Sequence, residues 1–304
     1  MAKIFDGKLV AQKVLEEAFV TVVRAAIART GIRDIALAGG TFANVRLNQK
    51  LAELPEVASI HIFPNMGDGG LAMGAAFLET ARRMPMPRAR FAHLYDGPVF
   101  GDADIRAAAR AHRVELETLP HPDDFIARQL SEKRVVAVYE GRMEFGPRAL
   151  GHRSILAEPT DPTMQDWLNK RLERTEFMPF GPMVLEEEAP TYFHDFARHA
   201  YPAKFMTICF NATDECRRKA PGIVHKDGSA RPQAVNRSAQ PLIHRALRRY
   251  QELSGLPICV NTSFNKHEQP IICTPDEAIA EFLRGGVDEL VMERYRVRRG
   301  SPPV

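Results

Sequence analysis

Cysteine is scarce in this chain and shows neither a metal-binding nor a disulfide pattern. Only four cysteines occur among the 304 residues, and no two of them form a CxxC pair. Zinc sites use closely spaced cysteine and histidine pairs, and disulfide-stabilised secreted domains use a regular set of cysteines, so the sequence favours neither class. We interpret the four as buried or free thiols in a reducing compartment.

Long apolar runs are also lacking. No segment approaches the roughly 20 residues of a membrane-spanning helix, and the first residues, MAKIFDGKLVAQKV, lack the apolar core of a signal peptide. The formal net charge is only +3, which by itself indicates neither a nucleic-acid nor a membrane partner. We therefore predict a cytoplasmic globular protein without a membrane partner, and the sequence argues against nucleic acid.

What the chain does contain is a regular alternation of helical and strand patterns, which predicts an α/β fold. Helices are predicted over 8–29, 42–51, 71–81, 103–112, 122–132, 161–173, 240–254 and 275–285. Strands are predicted over 35–38, 59–63, 114–118, 134–139, 204–210, 257–261 and 288–297.

Residues 84–101 carry prolines and glycines without periodicity, which is typical of a linker. The expected organisation is a first domain over 1–83, this linker, and a second α/β domain over 102–304. The first domain is small for an independent core. Either another polypeptide segment completes its sheet, or it packs closely on the second domain.

An arginine-rich turn follows the predicted buried strand 134–139. Ligands of open α/β sheets bind beyond the carboxyl ends of strands, and arginine presents a planar fork of donors that suits phosphate or carboxylate oxygens. Pairing with surface carboxylates is the structural alternative, but the turn offers few of them, so we predict an anion site. Its candidate residues are Arg142, Glu144, Arg148, His152, Arg153 and Ser154.

Further candidates follow other predicted elements. Lys170 lies late in a helix, where a solvated lysine is the alternative. His225 and Arg231 flank the turn Asp227-Gly228, and a partly buried histidine without a ligand is the alternative for His225.

Asn261, Ser263 and Asn265 follow an apolar strand. If the chain stays extended, alternate side chains point the same way and can hydrogen-bond one ligand, such as a ribose, a phosphate or an amide. An ordinary Asn/Ser turn is the alternative.

The first domain has two weaker signals. Gly39-Gly40 lies between a predicted strand and a predicted helix, a position that suits close approach of a nucleotide. Asp68 lies in a glycine-flanked loop directly before a helix, where a helix-capping residue is the plain alternative to a metal ligand.

Five ordered motifs resemble the NodU/CmcH-type O-carbamoyltransferases over nearly the whole chain. They are GRMEFGPRALGHRSILAEP (141–159), DPTMQDWLNKR (161–171), FMPFGPMVL (177–185), HKDGSARPQAV (225–235) and VNTSFNKHEQPIICTPDEAI (260–279).

The resemblance implies a partial actin-like (ASKHA) α/β segment followed by a YrdC-like α/β domain with a twisted mixed sheet. It implies that the YrdC-like domain uses carbamoyl phosphate and ATP with Mg to form carbamoyl-adenylate. Arg148, Lys170 and Arg231 would then be catalytic, and the other candidates of this domain would bind carbamoyl phosphate and ATP. In the actin-like domain the resemblance implies nucleotide binding at Gly39-Gly40 and an iron-like divalent metal at Asp68, with transfer to a hydroxylated acceptor.

The chain departs from the family pattern in its first domain. The family supplies an HxxxH pair to the metal, and no HxxxH occurs here. We therefore expect only the second half of the actin-like domain, no tightly bound metal in this chain alone, and a protein partner or oligomer that completes the domain. The alternative to an enzyme is a nucleotide- or anion-binding subunit. The sequence does not name the acceptor.

Overall fold

The computed structural model describes residues 7–86, 90–173, 180–266 and 269–299. No helix within these ranges is long and apolar enough to cross a membrane. The first segment contains three helices and two strands: α1 (Gly7–Thr30), β1 (Asp34–Leu37), α2 (Val45–Ala52), β2 (Ser59–Ile62) and α3 (Leu71–Arg83). Strands β1 and β2 pair in parallel as a two-stranded sheet.

The second region carries the larger sheet. Its helices are α4 (Asp102–His112), α5 (Pro122–Ser131), α6 (Met164–Arg171), α7 (Ala189–Tyr192), α8 (Ala200–Ala203), α9 (Asp214–Lys219), α10 (Pro241–Ser254) and α11 (Pro275–Leu283). Its strands are β3 (Glu115–Thr118), β4 (Val136–Tyr139), β5 (Arg153–Ala157), β6 (Gly181–Leu185), β7 (Phe210–Asn211), β8 (Ser229–Ala230), β9 (Gln233–Val235), β10 (Ile258–Ser263), β11 (Glu289–Met292) and β12 (Tyr295–Arg298).

Eight of these strands form one mixed sheet in the order β3-β12-β11-β4-β5-β10-β6-β9. The pairs β4–β11 and β6–β9 are parallel, and the other five pairs are antiparallel. Every residue of β4, β5, β6 and β11 is buried, because helices cover the sheet and apolar side chains on both faces need cover. Helix α5 packs on α10, and α4 packs on α11. The predicted α/β class with a mixed sheet is confirmed.

Two strand predictions were wrong, and strands β5, β6, β8 and β9 were not predicted. Residues 204–210 were predicted as a strand, but only Phe210–Asn211 are extended there, after the short helix α8. Residues 288–297 were predicted as one strand and form the hairpin β11–β12 instead, with Glu293 at φ 53° in its turn. Strand β5 was missed because its first residues belong to the glycine- and arginine-rich segment that predicted a turn.

The first segment packs on the second region through α2. Asn48 is fully buried, and its amide donates to Thr207 O at 2.8 Å. Val45 O accepts from Cys209 N at 3.3 Å, and Arg198 donates to Val57 O at 2.7 Å. The faces of α1 and α3 remain outside this contact, since α1 buries one side chain and α3 buries none.

Residues 90–101, the described end of the predicted linker, contain no helix or strand. They nevertheless pack on the second region, because Leu94 and Tyr95 are buried beside Leu150. Phe145 N donates to Leu94 O at 2.7 Å, so the backbone of this segment is tied to the arginine-rich loop.

Candidate functional site

The arginine-rich loop, residues 141–152, connects β4 to β5, and the carboxylate of Glu144 organises it. Glu144 Oε1 accepts from the backbone N–H groups of Leu150 at 2.8 Å, His152 at 2.8 Å and Arg153 at 3.0 Å. Glu144 is 4% exposed. Buried backbone donors need partners, so one carboxylate oxygen fixes the returning half of the loop. A ligand role for Glu144 stays a prediction. Its Oε2, which is buried and has no hydrogen-bond partner in the described part of the chain, is the atom that could serve it.

Three side chains hold the carbonyl of Leu150 from outside the loop. Tyr95 OH donates to it at 2.8 Å, Gln233 Nε2 donates at 2.7 Å, and Gln240 Nε2 also donates to it. The Tyr95 ring lies parallel to the His152 ring with centroids 3.6 Å apart. Tyr95 and Gln240 were not predicted as site residues, because they reach the loop only through contacts between residues that are far apart in the sequence.

The backbone next to Arg148 is fixed by Asn261. This side chain is 1% exposed, and its amide donates to Ala149 O and to Gln233 Oε1, both at 2.9 Å. Ala149 adjoins Arg148, and Gln233 lies two residues after Arg231. The segments that carry these two arginines therefore meet at Asn261. Its own Oδ1 is buried without a hydrogen-bond partner among the described residues.

Arg148 and Arg231 form a pair of cations without a carboxylate. Neither has an ion pair within the described part of the chain, and Arg148 Nε is buried without a partner. The charge of Arg231 is the main cause that lowers the pKa of Arg148 to about 9, and burial adds to it. Burial also lowers the pKa of Arg231. Two desolvated like charges are costly unless an anion lies between them.

His225 and Cys209 lie beside this pair. Burial, and then the charge of Arg231, lower the pKa of His225, so the imidazole is held neutral. Its Nδ1 lies 3.2 Å from Ser229 Oγ. Burial raises the pKa of the Cys209 thiol to about 11, which keeps it protonated and unreactive. Asp227 lies 3.6 Å from Arg46 on α2, so the first segment reaches this end of the site.

Arg153 and Ser154 lie in β5 and not in the loop, contrary to the prediction of one shared turn. Arg153 is fully buried over the Tyr139 ring at 3.6 Å, and it donates to Glu140 O at 2.7 Å, His152 O at 2.9 Å and Gly141 O at 3.2 Å. Ser154 Oγ accepts from Gly151 N at 2.8 Å. Both side chains serve the backbone, and a ligand role for them stays a prediction.

The remaining candidates do not join the arginine pair. Arg142 and Lys170 are exposed, and Arg142 makes a weak contact to Asp96 O at 3.4 Å. Ser263 ends β10, and its hydroxyl donates to Asn265 Oδ1 at 2.6 Å. The chain does not stay extended beyond Ser263, so the three residues 261, 263 and 265 do not form one strand face.

Two carboxylates that sequence reasoning missed lie at the ends of neighbouring parallel strands. Glu140 follows β4 and Glu293 follows β11, and Tyr139 pairs with Met292 in register. Burial, and then the charge of Glu293, raise the pKa of Glu140 to about 7. Glu293 Oε1 accepts from Gly141 N at 2.7 Å, so this carboxylate supports the start of the loop. These two carboxylates come together because β4 and β11 are parallel neighbours, and the sequence does not reveal which strands pair.

In the first segment, the predicted nucleotide and metal residues line one cavity of about 390 Å³. Gly39, Gly40 and Asp68 share it with the apolar side chains of Phe63, Phe77 and Leu78. Gly39 has φ 114°, a conformation that favours glycine, and its N–H donates to Met66 O at 2.7 Å. The structure therefore brings the three predicted residues together.

The iron-like metal does not fit the described residues. No group of three or more histidine, cysteine, aspartate or glutamate side chains within them is placed to hold a metal ion. Asp68 is exposed at the start of a short 3₁₀ turn, and a stable site needs several ligands held in geometry. We derive no chemical step through this metal.

Comparisons with known proteins match both regions of the chain. A family model described as Carbamoyltransferase C-terminus matches residues 127–299, and one described as Carbamoyltransferase N-terminus matches residues 8–77. An uncharacterized protein of Methanocaldococcus jannaschii is 35% identical over 98% of this chain and 50% of its own length. Nodulation protein NolNO of Sinorhizobium fredii is 33% identical over 95% of this chain and 43% of its own length.

Nodulation protein U of Rhizobium tropici is 34% identical over 82% of this chain and 41% of its own length. The chain thus spans about half the length, or less, of these curated relatives. A crystal structure of full-length HypF in a phosphate- and nucleotide-bound form matches 61% of this chain and 23% of that chain, with 20% identity and a TM-score of 0.42. That likeness is too low to establish a common fold.

Proposed function

This chain belongs to the carbamoyltransferase family, and from that membership we propose that its second region binds carbamoyl phosphate and ATP with Mg and forms carbamoyl-adenylate. The complete protein would then place the carbamoyl group on a hydroxyl of a small-molecule or sugar acceptor. The single observation that carries this proposal is the half-buried pair Arg148 and Arg231, which has no carboxylate within the described residues.

The arginine pair suits the phosphate of carbamoyl phosphate. Two unit charges of one sign about 4 Å apart repel by roughly 4 kcal/mol at an effective dielectric of 20. A phosphate between the two guanidinium groups reverses that sign, and each guanidinium presents a fork of donors to its oxygens. Binding of an anion would therefore remove the repulsion between the two guanidinium groups, which no carboxylate of the described residues offsets.

Asn261 suits the carbamoyl group. Its buried Oδ1 is an acceptor that has no partner among the described residues, and the carbamoyl amide offers N–H donors. Its Nδ2 is already used by Ala149 O and Gln233 Oε1, so the orientation of the amide is fixed before a ligand arrives. Asn261 Oδ1 can accept a hydrogen bond from the carbamoyl N–H group but not from an ionised phosphate oxygen. It would therefore favour carbamoyl phosphate over inorganic phosphate.

The proposed chemistry requires positioning and charge stabilisation, and no protein nucleophile. Carbamoyl phosphate, one water and ATP give carbamoyl-adenylate, phosphate and pyrophosphate. Activated carbamoyl species hydrolyse readily, so the site must exclude water beyond the one consumed. Arg148 and Arg231 would bind the phosphate and offset the charge that develops as it leaves.

The test is calorimetry with carbamoyl phosphate, together with carbamoyl-phosphate-dependent exchange between ATP and pyrophosphate. Arg148→Met should weaken carbamoyl phosphate binding by about tenfold or more, since a charge-assisted hydrogen bond contributes about 1.5–3 kcal/mol. Arg110→Met, at an exposed arginine of α4, is the matched control and should bind normally. Unchanged binding in Arg148→Met would refute the assignment.

A second candidate function is a nucleotide- and anion-binding subunit that acts only with a separate partner. It is favoured by the exposed apolar surface of α1 and α3 and by the length of the relatives. Pyrophosphate exchange by this chain, with acceptor carbamoylation only after the partner is added, would support a shared reaction. If exchange between ATP and pyrophosphate occurs only when the partner is present, the result would support the binding-subunit function.

A further inference from the structure

A groove of about 500 Å³ lies at the opposite end of the large sheet from the arginine-rich loop. Arg134 lines it directly before β4, whereas the loop begins after β4 ends, so the strand separates the two places. Five arginines line this groove, which we call the arginine groove: Arg134, Arg171, Arg296, Arg298 and Arg299. Two carboxylates, Asp288 and Glu289, line it as well.

Both carboxylates of the arginine groove are already paired with arginines. Glu289, which is 2% exposed, accepts from Arg134 at 2.9 Å and from Arg296 at 2.7 and 2.8 Å. Asp288 accepts from both ends of the Arg171 guanidinium, at 2.6 and 3.2 Å. These pairs fix the orientation of three arginines and leave no acidic oxygen of the lining to serve the others.

The outer wall of the groove carries the unused positive charge. Arg298 reaches Glu117, outside the lining, at 2.7 Å. Arg299 is exposed and has no carboxylate within ion-pair distance among the described residues. Its NH2 lies 3.4 Å from Phe282 O, and its guanidinium lies over the Phe282 ring, 5.3 Å from the ring centre. Even with Glu117 counted, five guanidinium groups face three carboxylates, so the groove has an excess of two positive charges.

We propose that the arginine groove is a second anion site, for a small phosphate-rich molecule: pyrophosphate or the phosphate chain of a nucleotide. A concave surface lined by one sign of charge concentrates the field for a small ion of the other sign. Guanidinium forks match phosphate oxygens, and the inner arginines are held in place by their pairs. The site is independent of Arg148, so both can be occupied together.

The test is calorimetry with inorganic pyrophosphate on the Arg148→Met variant, in which anion binding at the first site is weakened. This variant should still bind pyrophosphate, and adding Arg299→Met should weaken that binding by about tenfold. Arg299 has no carboxylate partner, so its substitution should leave the thermal unfolding midpoint unchanged. Adding Arg110→Met instead, as the matched control, should leave pyrophosphate binding unchanged.

Two further outcomes separate the sources and the hypotheses. The part of ATP binding that Arg299→Met weakens reports the groove: if it is tighter than pyrophosphate binding a nucleotide is assigned, and if it is equal the phosphate chain alone is assigned. No pyrophosphate binding by Arg148→Met at millimolar concentration, or binding that Arg299→Met does not weaken, overturns the second site. The carbamoyl phosphate site is judged separately, because Arg299→Met alone should bind carbamoyl phosphate normally.

Discussion

The first segment and the second region differ in how much of their apolar surface is buried. In the second region, strands β4, β5, β6 and β11 are buried at every residue. In the first segment, Val14, Val22, Leu71 and Leu78 are all more than half exposed on α1 and α3. Monomeric soluble proteins rarely leave a large apolar patch uncovered, so the difference supports the proposal that a partner or oligomer covers the first segment.

The same contrast appears in how polar groups are used. The arginine-rich loop is held by Glu144, Tyr95 and Asn261, all from this chain, so the proposed carbamoyl phosphate site is built without help. The cavity at Gly39 and Asp68 has one wall of exposed helix α3. In the proposed function, the activating half of the reaction would take place in the second region and the transfer half in the first segment.

The largest expected effect tests whether the second region depends on its own internal bonds. Arg153→Met should lower the free energy of unfolding by about 3 kcal/mol or more, because three carbonyl oxygens lose their donor at about 1–3 kcal/mol each. Chemical denaturation with urea measures it. Arg148→Met is the matched control and should be neutral or stabilising, since it removes a half-buried charge that Arg231 repels. Equal destabilisation by both variants would mean that Arg148 has a structural partner.

The next effect tests the cost of buried charge in the second region. The folded pKa of Glu140 is raised to about 7 from 4.5, so between these values the folded state holds a proton that the unfolded state has lost. The free energy of unfolding should therefore fall as pH rises from about 4.5 to 7, by at most about 3 kcal/mol. Below pH 4.5 Glu140 is protonated in both the folded and the unfolded state, and no stability is lost. The charged groups that act on Glu140 are Glu293, Arg245, Arg153 and Glu144.

Glu140→Gln should remove this pH dependence and raise stability at pH 8. Urea unfolding midpoints at pH 5 and pH 8 measure both. The control is Glu132→Gln, at an exposed residue after α5, which should follow the wild-type curve. A wild-type slope that survives in Glu140→Gln would assign the titration to another group.

Much of the fold could be predicted because its signals are local. Helix α1 was predicted over 8–29 and spans Gly7–Thr30, and α10 was predicted over 240–254 and spans Pro241–Ser254. The hairpin β11–β12 was missed because its turn, Glu293-Arg294, contains no glycine or proline, and the strain at φ 53° is visible only in the structure. Domain boundaries at 83 and 102 stay a prediction.

The candidate site was predictable in its membership and not in its geometry. Arginines in a glycine-rich turn predicted anion binding, but nothing local distinguishes Arg148, which faces Arg231, from Arg153, which is bound to backbone carbonyls. That difference depends on β5 beginning at Arg153, and strand pairing is set by contacts distant in sequence. Tyr95 and Gln240 were missed for the same reason.

The smallest expected effect tests the uncovered face of the first segment. Val14 and Val22 are 60% and 62% exposed on α1, so replacing both with lysine should change the free energy of unfolding by no more than about 0.5 kcal/mol. Leu51→Ala, at a fully buried residue of α2, is the contrasting variant and should cost about 2–5 kcal/mol. If the two valine substitutions instead cost as much as Leu51→Ala, α1 is already covered, by another copy of the chain or by its own residues. Coverage by its own residues would remove the proposed need for a partner, whereas coverage by another copy would identify that partner as the same chain.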